Sequence, residues 1–410
     1  MDDFYRRLGE LRTQVARIDR KYANQPPPAP DFRLPHRRAL HYIEEWLTGE
    51  EVETAFGRHF ETEKLYDSHR QHGSADIGAL VDLPRDLLGT LSGGAIQAAN
   101  PEEWAFLDTE TTGLAGGAGT CAFLIGVGRI TQEGFRVRQF FMRSHSEEAS
   151  LLDAVARHLA QFRVMITYNG RTYDQPLLEK RYLFQRARAP FHALDHLDLL
   201  HGARRLWKLR FESCRLVDLE SRILGVERQG DMPGALIPYV YFEYLRTRQA
   251  AHLLPVFQHN ALDILTLACL TGIVPRVFND PEGVPLRHGA EMAGIAGWLR
   301  EAGDMEAARA LYRRALKAGL SDEVLFRALW ELASIERKLG SHDAALQIWG
   351  DLAESKNPFR VRALEALAKH HEHRLKDSVR ALEFTRAARA LADSPELERR
   401  EKRLALRPMR

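Results

Sequence analysis

The stretch from 104 to 143 most constrains what this chain can fold into. It reads WAFLDTETTG, then AFLIGVGRI, then FRVRQFFMR, three apolar runs of β-forming residues, the last two joined by a TQEG turn. Three consecutive antiparallel strands make a platform, and the first of them ends in two acids, Asp108 and Glu110. Residues two apart on a strand point to one face, so both carboxyls share a side of the sheet. A helix over LLDAVARHLAQF, a strand over RVMITYN and a helix over QPLLEKRYLFQRA follow. The resulting β-β-β-α-β-α order predicts an α/β domain with a mixed sheet flanked by helices.

Around this centre the chain divides into four parts. Residues 1–35 predict a short helix over 1–22, broken by a proline-rich run. Residues 36–99 predict an accessory segment, with a helix around Ala39–Thr48, a hairpin over ETAFGRHFETEKLY, and DSHRQHGS, whose His69, Arg70 and His72 are candidates to touch substrate. The domain of 100–280 continues through a helix over LVDLESRILG and a turn-rich RQGDMPGALIPYVYFEYLRT. It closes on a helix over LLPVFQHNALDILTLACLTGIV, with Leu262, Leu265, Thr266 and Cys269 on its buried side. Residues 285–410 change to helical repeats. Gly303 and Gly340, Ala307 and Ala344, and Tyr312 and Trp349 are matched pairs 37 residues apart, and a weaker copy follows. Small residues at such spacing permit close helix contact, as stacked helix pairs require. The units resemble tetratricopeptide repeats, whose period is about 34, and predict a short solenoid docked on the α/β domain. Trp298, Trp330 and Trp349 at helical spacing read as packing groups.

Composition excludes a few classes. Lys and Arg number 58 against 56 Asp and Glu, so net charge names no partner, although arginines crowd 181–188 and 204–215 beside the acids. The three cysteines have no CxxC spacing and build neither a disulfide framework nor a zinc cluster. The amino terminus is charged and no long uninterrupted apolar run stands out, which predicts a cytoplasmic protein without a membrane span.

Two further acids complete a chemical pattern. Asp174 ends YNGRTYD at a strand exit, and Asp263 lies four residues after His259 in HNALD, on one helical side. Asn260 beside them can bond at the helix start. Oxygen ligands of Asp and Glu suit hard cations, and two Mg²⁺ or Mn²⁺ ions about 3.5–4 Å apart serve both ends of a phosphodiester displacement. Asp108, Glu110, Asp174 and Asp263 are the expected metal ligands, with His259 as the base for the attacking water. The glycines from Gly113 onward let a polymer end approach the backbone. No GKS or GKT follows, which sets a nucleotide-binding loop aside.

These segments resemble the DEDD 3′–5′ exonucleases of the ribonuclease H-like superfamily, in which a DxE pair, an Asn-to-Asp segment and a Tyr- or His-to-Asp segment form the site. YNGRTYD is similar to the proofreading segment of B-family DNA polymerases. The last motif departs from the pattern, since His259 stands at the spacing of the tyrosine subclass. A closer resemblance, over about 100–272, is to YprB-like ribonuclease H-like domain proteins. It rests on FLDTETTGLAGGAGTCAFLIGVG, HLDLLHGARRLW, LESRILGVERQGDMPGALIPYVYFEYL and HNALDILTLA. Some members carry tetratricopeptide-like repeats.

The resemblance implies a metal-dependent 3′–5′ exonuclease on single-stranded nucleic acid, DNA ahead of RNA. Thr109, Thr111, Gly113, Tyr168, Asn169, Arg171, Tyr173, Arg204, Arg205 and Trp207 are the candidate substrate contacts, with Arg181 and Arg210 as further phosphate contacts. Asp198 is a candidate fifth acid near the metals, Asp218 a helix cap, and Asp231 a turn former with Arg228 beside it to meet a phosphate. A structure-selective endonuclease and a non-catalytic nucleic-acid-binding adaptor are the alternatives. The repeats are a place for a protein partner, and oligomeric state stays open.

Overall fold

A computed structural model describes residues 42–113 and 119–406. The helix expected over 1–22 and its proline-rich break lie outside them. Of the helix expected around Ala39–Thr48, the described part is a single 3₁₀ turn, Ile43–Glu45, before an edge strand. Gly49 explains the change: a Cβ there would stand 2.3 Å from the carbonyl oxygen of Glu61, so the chain passes flat against its neighbouring strand.

One seven-stranded sheet carries the α/β domain. It comprises β1 (Glu50–Thr54), β2 (Gly57–Asp67), β5 (Trp104–Thr111), β6 (Ala122–Thr131), β7 (Gly134–Phe141), β8 (Val164–Thr167) and β9 (Asp195–Asp198), in the order β1-β2-β7-β6-β5-β8-β9. The expected hairpin forms as β1 and β2 and extends this sheet, while β3 (Gln71–His72) and β4 (Ala75–Asp76) make a separate small ribbon. Antiparallel pairing runs from β1 to β5, and β5-β8 and β8-β9 are parallel, so the sheet is mixed as predicted. β9 has no counterpart among the expected strands. Its DHLD carries almost no apolar signal, and its strand character comes from the ladder with β8.

Helices α1 (Glu148–Leu159), α2 (Asp174–Phe184), α3 (Leu199–Trp207) and the short α4 (Leu216–Leu219), which runs into a π-turn, surround the sheet. The expected turn-rich region is mostly helix, α5 (Ile237–Thr247), because Ile237, Tyr241 and Tyr244 fall on one face and pack inward. α6 (Leu254–Thr271) and α7 (Val274–Asn279) follow. Trp104 and Phe106 of β5 belong to a core shared with Ile264 and Leu265 of α6. Ala105 and Leu107 face the other way, into a core with Leu151 and Val155 of α1 and Tyr241 of α5. Each fully buried large apolar side chain contributes roughly 1.5–3 kcal/mol.

α6 is the central beam. The span Ala250–Asn279 is long and apolar enough to cross a membrane, yet 72% of its most apolar window is buried inside the protein. That apolarity therefore belongs to a helix buried nearly all round in its second half. Leu262 is only half-buried, and Ile264 takes the inward position expected of it. Glycines let α6 approach. A Cβ on Gly126 would meet Asn260 at 2.2 Å and Ile264 at 2.3 Å, and one on Gly128 would meet Ile264 at 2.5 Å.

The carboxyl-terminal region is all helical: α8 (Gly289–Ala302), α9 (Met305–Ala318), α10 (Asp322–Lys338), α11 (His342–Glu354), α12 (Arg360–His370), α13 (Ser378–Arg389) and α14 (Pro395–Ala405). Gly303 takes a left-handed φ of 94° at the turn between α8 and α9, and Gly340 one of 85° between α10 and α11, so the repeated glycine marks the same turn twice. α8 docks on α3. Gly294 lies so close to the carbonyl of Arg205 that a Cβ would stand 2.2 Å from it, and Ile295 and Leu311 join the core that contains Phe106.

Candidate active site

The site forms at the carboxyl edge of β5, where a row crosses the sheet. Gly126 of β6 is the register partner of both Asp108 on β5 and Gln139 on β7. The missing side chain at Gly126 leaves room for Asn260 of α6, which lies across the row. Its Nδ2 donates to Asp108 Oδ2 at 2.8 Å, and its Oδ1 accepts from Gln139 Nε2 at 2.9 Å. Asn260 is fully buried and thus orients Asp108 rather than bonding at the helix start as expected. The signal was present in sequence as a glycine inside an apolar strand.

α2 begins at Asp174, whose Oδ1 accepts from Thr109 Oγ1 at 2.5 Å. The turn leading there needs Asn169 at a φ of 69°, a left-handed conformation that Asn tolerates. Its carbonyl takes the amides of Thr172 and Tyr173. α6 delivers Asp263 from above. Asp108, Glu110, Asp174 and Asp263 are close enough to perturb one another. Burial pushes the Asp108 carboxyl well above the usual range, and the negative charges of Asp263 and Asp174 add to the effect. Glu110 is raised by burial and then by Asp108, Asp263 and Asp174. Asp174 is pushed up to about 6, chiefly by burial, against the lowering effect of Thr109. Asp263 rises through burial despite His259 and Arg228 beside it.

Behind Asp263 stands a buried network that sequence reasoning missed. Arg228, 4% exposed, donates to Asp263 Oδ1 at 2.5 Å, to Glu220 Oε2 at 2.5 Å and to Asp231 Oδ2 at 3.2 Å. Glu220 also accepts from Thr266 at 2.7 Å and contacts His72 Nε2 at 3.0 Å. Arg228 is therefore a buried counter-ion and not the phosphate contact expected of it. His72 is likewise a buried partner of Glu220 and Thr266, whereas His69 and Arg70 stay exposed. Asp231 faces His259, with its Oδ1 2.8 Å from Nδ1, and the other ring nitrogen is 3.6 Å from Asp263 Oδ2. These pairings join residues up to 194 positions apart, from His72 to Thr266, and no local pattern encodes them.

The expected substrate contacts divide. Tyr168, Asn169 and Arg204 line an open pocket of about 550 Å³ with Lys208. Tyr168 also donates its hydroxyl to the Cys214 carbonyl. Tyr173 is exposed, and Thr111 bonds the Gly113 carbonyl at 3.0 Å, just before residues 114–118, which lie outside the described residues. Arg171 is exposed but bonded to the His196 carbonyl. Others are committed elsewhere. Trp207 is 2% exposed in the core and offers no face for a base. Arg205 and Arg210 pair with Glu301 and Glu291 of α8 at 2.7 Å each, holding the repeats, and Arg181 pairs with Glu148 at 2.6 Å. Asp198 caps α3 and accepts the amides of Asn169, Arg171 and Leu200, so its lone pairs are spent on backbone rather than on a metal. Asp218 pairs with Arg215 and Ser213 inside the first turn of α4, whose cap residue is Arg215.

Four converging carboxylates with raised proton affinity are a donor set suited to hard divalent cations. Among the described residues no group of three or more His, Cys, Asp or Glu forms a ready-made cation cage. Asp108, Asp174 and Asp263 are each turned onto a protein donor instead.

Residues 105–274 match the family described as RNase_H superfamily, and residues 292–394 match the family described as Tetratrico peptide repeat. The chain is also similar to the uncharacterized protein YprB of Bacillus subtilis (strain 168), with 31% identity over 304 residues, covering 74% of this chain and 72% of that protein.

Proposed function

The chain belongs to the YprB-like family of ribonuclease H-fold proteins with tetratricopeptide-like repeats, and from that premise we propose that it is a divalent-cation-dependent nuclease acting on single-stranded nucleic acid in the cytoplasm. The observation that carries the reading is the convergence of Asp108, Glu110, Asp174 and Asp263 at one sheet edge, where Asp174 and Asp263 are close enough to raise the proton affinity of both Asp108 and Glu110. Four carboxylates gathered around the guanidinium of Arg228 remain an excess of negative charge, which costs free energy unless a cation or a proton joins them.

In this reading the four acids hold two Mg²⁺ or Mn²⁺ ions. Such ions, when bound, neutralise phosphoryl oxygens and acidify a water. The protein's own residues do the rest. Asn260 fixes the Asp108 carboxylate, held in turn by Gln139. Thr109 fixes Asp174, and Arg228 fixes Asp263 through Oδ1. His259 takes a proton from the attacking water at Nε2, with Nδ1 held by Asp231, which keeps the ring in one orientation. Arg204 and Lys208, neither ion-paired among the described residues, receive phosphates along the pocket beside Tyr168 and Asn169.

The end-directed mode is what the resemblance implies, and the glycine-rich segment after Gly113 that would receive the polymer end lies mostly outside the described residues. The proposal is therefore of a nuclease of the ribonuclease H-like class, with internal cutting as open to it as terminal cutting. Labelled linear and circular single strands in Mn²⁺ separate the modes. Fragments from circles establish the endonuclease, and mononucleotides from linear strands with intact circles establish the exonuclease. The adaptor reading has one observation in its favour, the guanidinium of Arg228 already seated on Asp263. Binding of either strand without hydrolysis in Mg²⁺ or Mn²⁺ would replace the enzyme with that adaptor.

A further inference from the structure

We infer that the helical repeats carry a second nucleic-acid site, a cationic groove across α10, α11, α12 and α14 that holds the phosphodiester backbone of a single strand away from the acidic centre. The groove has a volume of about 830 Å³, and its lining includes Arg337, Lys338, Arg362, Lys369, Arg374 and Arg400. Arg337, Lys338, Arg362 and Arg374 form no ion pair among the described residues. Lys369 meets Glu365 at 3.4 Å, and Arg400 meets Glu372 at 2.6 Å. Glu365 is the single carboxylate in the lining. Four exposed cations gathered without neutralising acids repel one another, and a polyanion removes that repulsion while releasing its condensed counterions.

Charge alone would suit an acidic peptide as well, but the rest of the lining favours nucleic acid. A bound peptide needs partners for its backbone amides and apolar recesses for its side chains. The groove contains no Asn or Gln, and Ala366 is its one aliphatic residue. What it offers is N–H donors, which a phosphate backbone accepts in any sequence. Trp330, half-buried and stacked on Phe359 at 5.9 Å, adds a rigid indole at the wall, of the kind on which bases rest. Several arginines elsewhere in the repeats are instead tied to carboxylates: Arg386 and Arg389 share Glu401, and Arg300 pairs with Glu331.

The assignment rests on the nucleic-acid reading only for the choice of polyanion, and its test is independent of hydrolysis. The full chain carrying Asp108→Asn, in EDTA, is titrated into fluorescent oligothymidylate and oligouridylate at several salt concentrations. Adding Arg337→Ala, Arg362→Ala and Arg374→Ala should weaken binding by about tenfold or more. It should also flatten the slope of log affinity against log salt by about 2, at roughly 0.7 per lost phosphate contact. The three Arg→Lys replacements should keep most of the affinity, and Lys317→Glu, exposed on α9 outside the groove, should change little. Circular dichroism checks that each variant is folded. Unchanged affinity and slope in the folded triple-alanine chain overturns the site. So does displacement of the oligonucleotide from the groove by a lower concentration of oligoglutamate, which assigns the groove to an acidic protein. Absence of strand cleavage bears on the enzyme proposal and leaves this one standing.

Discussion

The two halves of the molecule handle charge in opposite ways. At the edge of the sheet, negative groups are sunk into protein, and burial raises the proton affinity of all four acids, with repulsion from the neighbouring acids adding to it at Asp108 and Glu110. In the repeats, positive groups stand in solvent around an open groove with one carboxylate among them. Buried like charges are costly and persist only where something compensates, here Asn260, Thr109 and Arg228. Exposed like charges repel more weakly, because water and salt screen them in part, and a polyanion relieves what remains. The first arrangement is built for a small partner of high charge density, and the second for a long partner of low specificity.

The contrast can be broken most severely at Arg228. Replacement by Met leaves Glu220 and Asp263 without their buried counter-ion and should destabilise the chain by about 3–5 kcal/mol, whereas Arg337→Met in the groove should leave the denaturation midpoint nearly unchanged. Equal effects would mean that the buried network is not what offsets the acids. Next in size is Gly126→Ala. Its Cβ would displace Asn260, so a loss of about 1–3 kcal/mol is expected, together with weaker Mn²⁺ binding, since Asp108 loses its fixed partner. Calorimetric Mn²⁺ titration of the folded variant reads the second effect.

Acidity sharpens the same contrast with a sign. Asp174, raised to about 6, keeps in the folded chain a proton that the unfolded chain releases near its ordinary value of about 3.9. Its contribution to stability is therefore greatest at low pH and declines as pH rises through about 6. Melting of the ion-free chain with and without Asp174→Asn should diverge as pH rises from about 4 to about 6, the interval between the unfolded and folded values, the variant gaining, and Mn²⁺ should close the gap. Buried His158, lowered to about 4, has the opposite sense: its contribution is lost as pH falls from about 6.5 towards 4. The smallest structural effect is expected from His259→Ala, which should keep Mn²⁺ stabilisation and lower turnover. Unchanged turnover removes His259 from proton transfer.

The legible parts of this molecule were those whose signal is local. β5 to β8 and the flanking helices announce themselves through apolar runs and turn residues, and the acids sit at fixed places within them. Gly303 and Gly340 reveal the repeat because each ends a helix in the same left-handed turn. Residues whose role depends on distant partners were not readable. Arg228 looks like a surface arginine until Glu220 and Asp263 are brought to it, and Trp207 among arginines looks like a stacking platform until α3 buries it. β9 is a strand only because β8 lies beside it. The role of Asn260 leaves one local trace, the glycine at 126 inside an apolar strand, and that trace takes its meaning only from the packing of β6 against α6.

Anomalous diffraction from crystals grown with Mn²⁺ and a short single strand tests the central claim most directly. The account predicts manganese peaks at the edge of β5 within coordination distance, about 2.0–2.6 Å, of carboxyl oxygens from Asp108, Glu110, Asp174 and Asp263, with a phosphate beside them. A strand bound in crystals with no manganese at those carboxyls, Arg228 still being the counter-ion of Asp263, would contradict it.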